Sequence, residues 1–418
     1  MSIQSELIAL AEESKKAAQI LATASTDVKN RALEAIAEAL ENSSDRIILE
    51  NTKDLESGKA AGLSSALLDR LKLDETRIKA MADGLREIIQ LKDPIGDITE
   101  MWTRPNGLQV GKMRVPLGVI GIIYEARPNV TIDAAGLCLK SGNAVILRGG
   151  SEAINSNRVL AKIAAEAAAA CGLPAAAVQL VQTTDREAVS VLLGLNEYLD
   201  VLIPRGGAGL IRRVINEAKV PVIQTGTGNC HIYVDRSADL QMALDIVVNA
   251  KISRPGVCNA VETLLVHEAA AEALLPRLGD ALRQHNVEMR GCSKTRALLP
   301  EAKPAQEDDW HEEYLDYILA IKIVSTFTEA VEHINFYGTK HSEAIITNDY
   351  SLSQRFLREV DAAAVYVNAS TRFTDGNQFG LGAEMGISTQ KLHARGPMGL
   401  NELTTNKYVI LGQGHIRR

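Results

Sequence analysis

The chain has 418 residues, of which 46% are hydrophobic and 23% charged, and its formal net charge is -7. This length predicts two or three domains, and the acidic balance argues against a nucleic-acid-binding protein, which needs a basic surface. No run approaches the ~18 apolar residues of a membrane span, and residues 1–6 lack the features of a signal peptide. The five widely spaced cysteines contain no C-x-x-C pair, so we expect neither a disulfide framework nor structural zinc. This cysteine usage is typical of a protein in a reducing compartment.

The first half of the chain changes from helices to alternating strands and helices. Apolar residues at helical spacing predict an all-helical opening over residues 3–92. A Pro-Asn-Gly turn at 105–107 between two partly alternating runs predicts a β-hairpin over 101–115, which we expect to pair with another chain. From residue 119 to 223, five apolar strands alternate with helices, the last strand at 221–223. This pattern predicts a doubly wound parallel sheet, with ligands at the carboxyl ends of its strands.

A second α/β region begins near Cys230, and its helices and strands continue past residue 364. Residues 293–313 are polar and irregular, so we expect a surface excursion there. A last short strand, Tyr408–Leu411, has the length to pair with the hairpin arm. The sequence therefore predicts two α/β regions and one small β arm.

One loop carries the strongest chemical signal in the chain. Pro255 and Gly256 force a loop between a predicted helix, 240–250, and a predicted strand, 261–266, and Cys258 lies in this loop. Lys251 and Arg254 place two cations a few residues away. Nearby cations lower the pKa of a thiol below its free value of roughly 8.5 and so favour the nucleophilic thiolate. A half-buried structural cysteine is the alternative.

Two glycine-rich turns follow predicted strands, Arg148-Gly149-Gly150-Ser151 and Arg205-Gly206-Gly207. Glycines let backbone N–H groups approach a phosphate, and a following helix N-terminus adds partial positive charge. Arg148 or Arg205 can bind a 2′-phosphate or a pyrophosphate through two hydrogen bonds. Neither turn matches a standard nucleotide-binding motif, and an ordinary tight turn is the alternative.

Two further loops carry candidate binding residues. Arg127 and Asn129 follow a strand and can donate to a developing oxyanion or to a phosphate; alternatively, Asn129 is a helix cap. Lys391 and Arg395 lie in a loop bounded by glycine and proline. They either bind a carboxylate or form a solvated basic surface.

Taken together, these motifs resemble the aldehyde dehydrogenase superfamily. The resemblance is carried by residues 116–121, by 142–148 and by the Gly-x-Cys at 256–258, and it covers essentially the whole chain. Longer segments at 124–131, 148–153 and 384–400 are most similar to its gamma-glutamyl phosphate reductase family. The resemblance implies two doubly wound α/β domains plus a small β-hairpin oligomerisation arm. It also implies NADPH-dependent reduction of L-glutamyl 5-phosphate to L-glutamate 5-semialdehyde in proline biosynthesis.

The resemblance further implies the organisation of the chain. Residues 1–100 and 116–229 are expected to form an NADP-binding domain, 230–402 a catalytic domain, and 101–115 with 403–418 the oligomerisation arm. We expect a cytoplasmic homo-oligomer that uses NADP(H) and has the upstream glutamate kinase as a further partner. No metal, nucleic acid or membrane is expected to take part.

Individual residues take roles from the same resemblance. Cys258 falls at the superfamily nucleophile, and Arg148 falls where a lysine lies near the adenosine ribose. Gly206 and Gly207 fall in the loop that faces the pyrophosphate. Glu313 falls at the glutamate that contacts the nicotinamide ribose. We expect NADP over NAD from the cationic Arg148, although Glu152 nearby would repel a 2′-phosphate.

Two departures from the superfamily pattern are informative. Gln224-Thr225-Gly226 stands where hydrolytic members carry a glutamate base, as suits an enzyme that must keep water from its thioester. Ala126-Arg127 stands where they carry a Trp-Asn pair, so the oxyanion donor stays open between Asn129, Arg127 and the Cys258 N–H. Arg254 or Arg127 is expected to neutralise the departing phosphate. A hydrolytic NAD(P)-dependent aldehyde dehydrogenase and a non-catalytic nucleotide-binding scaffold remain the alternatives.

Overall fold

The structure is a computed structural model that describes residues 2–417. Met1 and Arg418, which end two of the predicted ranges, lie outside the described residues. The chain folds as two units. Unit 1 contains the chain up to residue 225 together with 380–386 and the part from 398 onward, and unit 2 contains 226–379 and 387–397.

Unit 1 opens with five helices, four of which begin at a capping side chain. Ser2, Ser25, Ser64 and Asp74 each accept a hydrogen bond from the backbone N–H three residues later, which satisfies one free donor of the first turn. The predicted all-helical opening is confirmed. The helices are α1 (Ile3–Leu21), α2 (Thr26–Asn42), α3 (Ser44–Ala60), α4 (Ser65–Leu71) and α5 (Glu75–Gln90).

A four-stranded parallel sheet follows, with the strand order β5-β4-β3-β6. Its strands are β3 (Val119–Tyr124), β4 (Ala144–Gly149), β5 (Val178–Leu180) and β6 (Val201–Arg205), joined and followed by α6 (Asn129–Lys140), α7 (Ile154–Ala170), α8 (Glu187–Leu193) and α9 (Ala208–Glu217). The strand order reverses at β3, so a ligand crevice is expected at the carboxyl ends of β3 and β6. The strand predicted at 221–223 is wrong, because only a single bridge joins Val222 to Leu202.

Unit 2 contains a seven-stranded parallel sheet in the order β10-β9-β11-β8-β7-β12-β13. Its elements in chain order are β7 (Cys230–Val234), α10 (Leu240–Ile252), β8 (Val261–His267), α11 (Glu268–Gln284), β9 (Glu288–Gly291), α12 (Ser293–Leu298), β10 (Lys303–Pro304), β11 (Ile318–Val324), α13 (Phe327–Tyr337), β12 (Ser342–Ile346), α14 (Tyr350–Glu359) and β13 (Ala364–Val367). Most residues of the surface excursion predicted at 293–313 are exposed, as expected, but the segment is not irregular. That segment contains α12 and β10 and buries Thr295 and Trp310.

Two small antiparallel sheets complete the fold. In unit 2, β14 (Ile387–Ser388) pairs with β15 (Gly396–Pro397). In unit 1, β1 (Ile98–Thr103), β2 (Gln109–Pro116) and β16 (Thr404–Leu411) form a sheet with β2 in the middle. This sheet exposes Trp102 and Tyr408, whose rings meet edge to face, and we call it the arm sheet.

The division of the chain into two units differs from the predicted domain limits in three places. Unit 2 begins at 226 rather than 230, residues 380–386 and 398–402 group with unit 1, and so do the arm segments, 101–115 and the part from 403 onward. Backbone hydrogen bonds explain the second difference, because Met385 and Met398 bond across these segments within unit 1. None of the helices in residues 2–417 has both the length and the apolar character that a membrane crossing needs.

Candidate active site

Cys258 lies half-buried in the loop between α10 and β8 of unit 2. Asp239 caps the start of α10 through the Met242 N–H, and the helix ends at Ile252. The Val257 carbonyl then accepts from the Ala260 N–H at 3.1 Å, which closes a turn around the cysteine. The loop therefore stands at the amino end of β8, and not at the carboxyl end where parallel sheets usually bind ligands.

Three contacts fix the backbone at and just after Cys258. The Cys230 thiol donates to the Cys258 carbonyl at 3.1 Å, and the Thr371 hydroxyl donates to the Asn259 carbonyl at 2.8 Å. Gly228 packs so closely that a Cβ there would lie 1.5 Å from the Cys258 carbonyl oxygen. Any side chain at 228 would displace the loop, so the structure requires glycine there.

Lys251 does not contribute an uncompensated charge to this loop. Its Nζ lies 2.6 Å from a carboxylate oxygen of Glu262, and both side chains are fully buried. Burial lowers the pKa of Lys251 and raises the pKa of Glu262 to about 7, because desolvation outweighs the attraction between the two groups. The other Glu262 oxygen accepts from the Leu315 N–H at 3.2 Å. This ion pair joins the end of α10 to the start of β8 beneath the loop.

Arg372 is a cation beside this loop that sequence reasoning missed. It lies in a short 3-10 turn, Thr371–Phe373, and is half-buried. Its Nε donates to the Ser253 hydroxyl at 3.0 Å, and its Nη1 donates to the Asn259 side-chain oxygen. These partners are 119 and 113 residues away along the chain, so no local pattern signals them. Arg254, which the sequence did indicate, is exposed.

Glu313 is linked to the same loop through Gly228. One of its carboxylate oxygens accepts from the Gly228 N–H at 2.6 Å. Burial raises the pKa of Glu313, and the hydrogen bond from Gly228 opposes that rise. The predicted ribose-binding residue and the predicted nucleophile thus belong to one hydrogen-bonded part of unit 2.

Lys391 and Arg395 share a single carboxylate. Asp361 lies 3.0 Å from Lys391, 2.8 Å from Arg395 and 3.0 Å from Lys340. The hydrogen bond from Arg395, followed by those of the two lysines, holds the pKa of Asp361 well below its usual range. Three cations surround one carboxylate, so the cluster keeps a net positive charge.

In unit 1 an anion already occupies the glycine-rich end of β6. The Glu125 carboxylate accepts from the Gly207 N–H at 2.9 Å, directly before α9. A Cβ at Gly206 would lie 2.4 Å from the same carboxylate oxygen. Arg205 ends β6 beside this turn. The N–H of Gly207, the N-cap residue of α9, therefore donates to a carboxylate, as a pyrophosphate site must donate to phosphate.

Arg148 lies near the end of β4, directly before Gly149. The exposed Ser151 opens the 3-10 turn that follows this strand. Its Nη groups donate to the Gly149 carbonyl at 3.1 Å and the Thr184 carbonyl at 3.2 Å. Its buried Nε has no hydrogen-bond partner among residues 2–417.

Two more arginines act on Arg148. Burial lowers the pKa of Arg148, and repulsion by Arg186 and Arg213 lowers it further. Attraction to Glu152 raises the pKa of Arg148 and so opposes these effects. We call Arg148, Arg186 and Arg213 the arginine cluster. Glu152 itself accepts from the Ala126 N–H at 2.6 Å. Arg148 itself lies at a strand end of the parallel sheet, where such sheets bind dinucleotides.

Asn129 is the first residue of α6, and the helix-cap alternative for it is wrong. The N-cap position is Pro128, and no side chain caps this helix. The Asn129 amide instead donates to Asp133 at 2.9 Å. Burial raises the pKa of Asp133, a residue that sequence reasoning also missed. Arg127 lies half-buried in the bend just before Pro128.

Comparisons with known proteins place the chain. The model of the aldehyde dehydrogenase family matches residues 2–297. Gamma-glutamyl phosphate reductases from Halothermothrix orenii and Moorella thermoacetica are 68% and 62% identical over 417 and 418 residues, covering 100% of each chain. The chain belongs to the aldehyde dehydrogenase family. The crystal structure of gamma-glutamyl phosphate reductase from Thermotoga maritima is 51% identical with a TM-score of 0.97, covering 99% of this chain and 100% of that one.

Membership of this family confirms several expectations. The fold is the aldehyde-dehydrogenase-like α/β fold, and within the family the chain groups with the gamma-glutamyl phosphate reductases. The chain is an oxidoreductase that acts on a small molecule and uses a nicotinamide cofactor.

Proposed function

We propose that the chain reduces L-glutamyl 5-phosphate to L-glutamate 5-semialdehyde and phosphate with NADPH, in proline biosynthesis. The names of its full-length relatives support this substrate. The observation that carries the proposal is the Cys258 loop. Hydrogen bonds from Cys230 and Thr371 hold its backbone, Cys258 is half-buried, and cations lie at its edge.

Cys258 is the proposed nucleophile. Its thiolate attacks the acyl carbon of the substrate, the carbon–oxygen bond to phosphate breaks, and a thioester on Cys258 remains. When bound, the nicotinamide supplies the hydride that converts this thioester to the aldehyde. The fixed Cys258 backbone orients the thiol, and each oxyanion donor contributes about 2.7–4 kcal/mol. Asn129, Arg127 and the Cys258 N–H keep their proposed role as donors.

Thioester hydrolysis must be avoided in this reaction. Gln224-Thr225-Gly226 provides no carboxylate at the position of the base that hydrolytic relatives use. Without a general base, water attacks a thioester slowly. Phosphate, and not water, is therefore the proposed acyl acceptor in the reverse direction.

NADP(H) is the proposed form of the cofactor. The arginine cluster of unit 1 supports this choice, since Arg148, Arg186 and Arg213 would attract a 2′-phosphate, although Arg213 also pairs with Glu217 at 3.1 Å. The proposed binding loops also contain Gly149, Ser151 and Arg205. In this proposal Gly206 and Gly207 bind the pyrophosphate, and Glu313 binds the nicotinamide ribose. Lys391 and Arg395 remain the proposed partners of the substrate carboxylate.

The test is oxidation of glutamate 5-semialdehyde with NADP+ and with NAD+, each with and without phosphate or arsenate. We expect turnover to require one of these anions and to favour NADP+. Phosphate-independent formation of the free acid would identify a hydrolytic aldehyde dehydrogenase instead. Binding of nucleotide without turnover in any condition would identify a scaffold.

Cys258→Ser should abolish turnover, and Cys292→Ser is the matched control. Cys292 is also half-buried, and although burial opposes it, hydrogen bonds from Thr295 and nearby backbone groups lower its pKa. It is therefore the other thiol with an environment that favours reactivity. Near-wild-type turnover in Cys258→Ser, or loss of turnover only in Cys292→Ser, would contradict the proposed nucleophile.

A further inference from the structure

Two arginines of unit 2, Arg372 and Arg254, lie in or against the Cys258 loop. Arg372 donates to Ser253 at 3.0 Å and to Asn259, which are both neutral side chains on the Cys258 loop. Arg254 lies between these two residues in sequence and is exposed. Within residues 2–417, neither arginine forms an ion pair. The charge of Lys251, in contrast, is compensated by Glu262 at 2.6 Å.

The positions of these groups are fixed by the loop itself. Asn259 is buried, and its amide also donates to the Thr374 carbonyl at 2.9 Å, so it cannot turn away from Arg372. The two hydrogen bonds of Arg372 hold its guanidinium against residues on both sides of Cys258. A cation held in place before the ligand arrives loses little side-chain entropy when the ligand binds.

Nearby charged and ionisable groups act on Arg372. Burial lowers the pKa of Arg372, and repulsion by Arg254 lowers it further, while attraction to Cys258 and to Asp375 opposes the change. Neither arginine lies within ion-pair distance of a carboxylate in residues 2–417, so two mutually repelling cations at this loop favour an anionic ligand. The guanidinium fork matches the spacing of two phosphate oxygens.

We propose that Arg372 and Arg254 form the subsite that holds the phosphoryl group of the acyl phosphate and receives it as inorganic phosphate. This inference rests on the proposed function and adds Arg372 to it. In the forward step the Cys258 sulfur–carbon bond forms, the carbon–oxygen bond breaks, and phosphate leaves with the electron pair of that bond. No atom is oxidised or reduced in this step. The two guanidinium groups compensate the charge that accumulates on the leaving phosphate.

The experiment measures the KM for phosphate during semialdehyde oxidation at saturating NADP+. Arg372→Gln and Arg254→Gln should each raise that KM at least tenfold, and Arg372→Lys, which keeps the charge but loses the fork, should raise it less. The KM values for semialdehyde and NADP+ should stay within twofold. Arg355→Gln is the charge-matched control, because Arg355 is an exposed residue of α14 paired with Glu359. Its KM for phosphate should not change.

A second readout does not depend on turnover. Phosphate should protect Cys258 from iodoacetamide in the wild type and in Arg355→Gln, it should lose this effect in Arg372→Gln, and it should keep only part of it in Arg372→Lys. If the KM for phosphate stays within twofold in all Arg372 and Arg254 variants, or if all three KM values rise together, the subsite is refuted and Arg372 only holds the loop. If the wild type itself oxidises semialdehyde without phosphate, the proposed function fails first, so the two failures are distinguishable.

Discussion

The buried pair of Lys251 and Glu262 gives the sharpest stability prediction. Replacing Lys251 by Met leaves the Glu262 carboxylate in a fully buried position, with the Leu315 N–H as its remaining partner. Breaking a buried ion pair by removing one member costs about 3–5 kcal/mol. We therefore expect Lys251→Met to lower the free energy of unfolding by about that amount at pH 8.

The loss of stability caused by Lys251→Met should be larger at high pH than at low pH. Burial raises the pKa of Glu262 to about 7, above the ordinary 4.5, so stability from this group is present at low pH and is lost as the pH rises through about 7. Without Lys251 the carboxyl takes up a proton more readily still, and at pH 5 it is neutral. Lys251→Met should therefore destabilise the protein less at pH 5 than at pH 8.

Equilibrium urea unfolding at both pH values measures these differences. Lys16→Met is the control, because Lys16 and Glu13 are also 2.6 Å apart but their side chains are 69% and 58% exposed. No measurable change is expected for an exposed pair. A double variant, Lys251→Met with Glu262→Leu, replaces both charges by apolar groups and should recover most of the loss. The reasoning is refuted if Lys251→Met unfolds at the same urea concentration as Lys16→Met.

Three further predictions concern other parts of the chain. Arg186→Gln and Arg213→Gln should raise the KM for NADPH at least fivefold while leaving that for NADH unchanged, which steady-state kinetics with both cofactors will check. Burial lowers the pKa of His333 from 6.5 to about 2, so only the unfolded chain takes up this proton near pH 5. The wild type should therefore lose about 2 kcal/mol more stability between pH 7 and pH 5 than His333→Phe in urea unfolding. If the arm sheet pairs with another copy, Trp102→Glu or Tyr408→Glu should reduce the molar mass measured by light scattering, without loss of the folded circular dichroism spectrum.

The fold was predictable where apolar runs are long and clearly bounded. The limits of β3 agree with the prediction at both ends, because six consecutive apolar or small residues are followed by a charged loop. Prediction failed for short elements. Pro221 has no N–H to donate, so the stretch after it forms one bridge and no strand. The four residues of β9 alternate polar and apolar side chains over too short a distance to indicate a strand.

The site was predictable only where its residues are neighbours in sequence. Cys258 was found because glycine and proline mark its loop, and Arg254 because it is four residues away. Arg372 was missed because it meets the loop through tertiary contacts over more than 100 residues. Asp133 was missed because its interest comes from burial, which raises its pKa and which the sequence of α6 does not show.

Lys251 shows that one correct boundary would have improved the prediction. Sequence reasoning ended the helix at Ala250 and so left Lys251 in the loop with the thiol. The helix continues to Ile252, and Lys251 then follows Val247 by one turn on the buried face. A lysine on such a face is stable only beside an acidic partner. Glu262 is the one acid in β8, so the correct helix end leads to the ion pair and leaves Arg254 as the cation of this segment that is exposed beside Cys258.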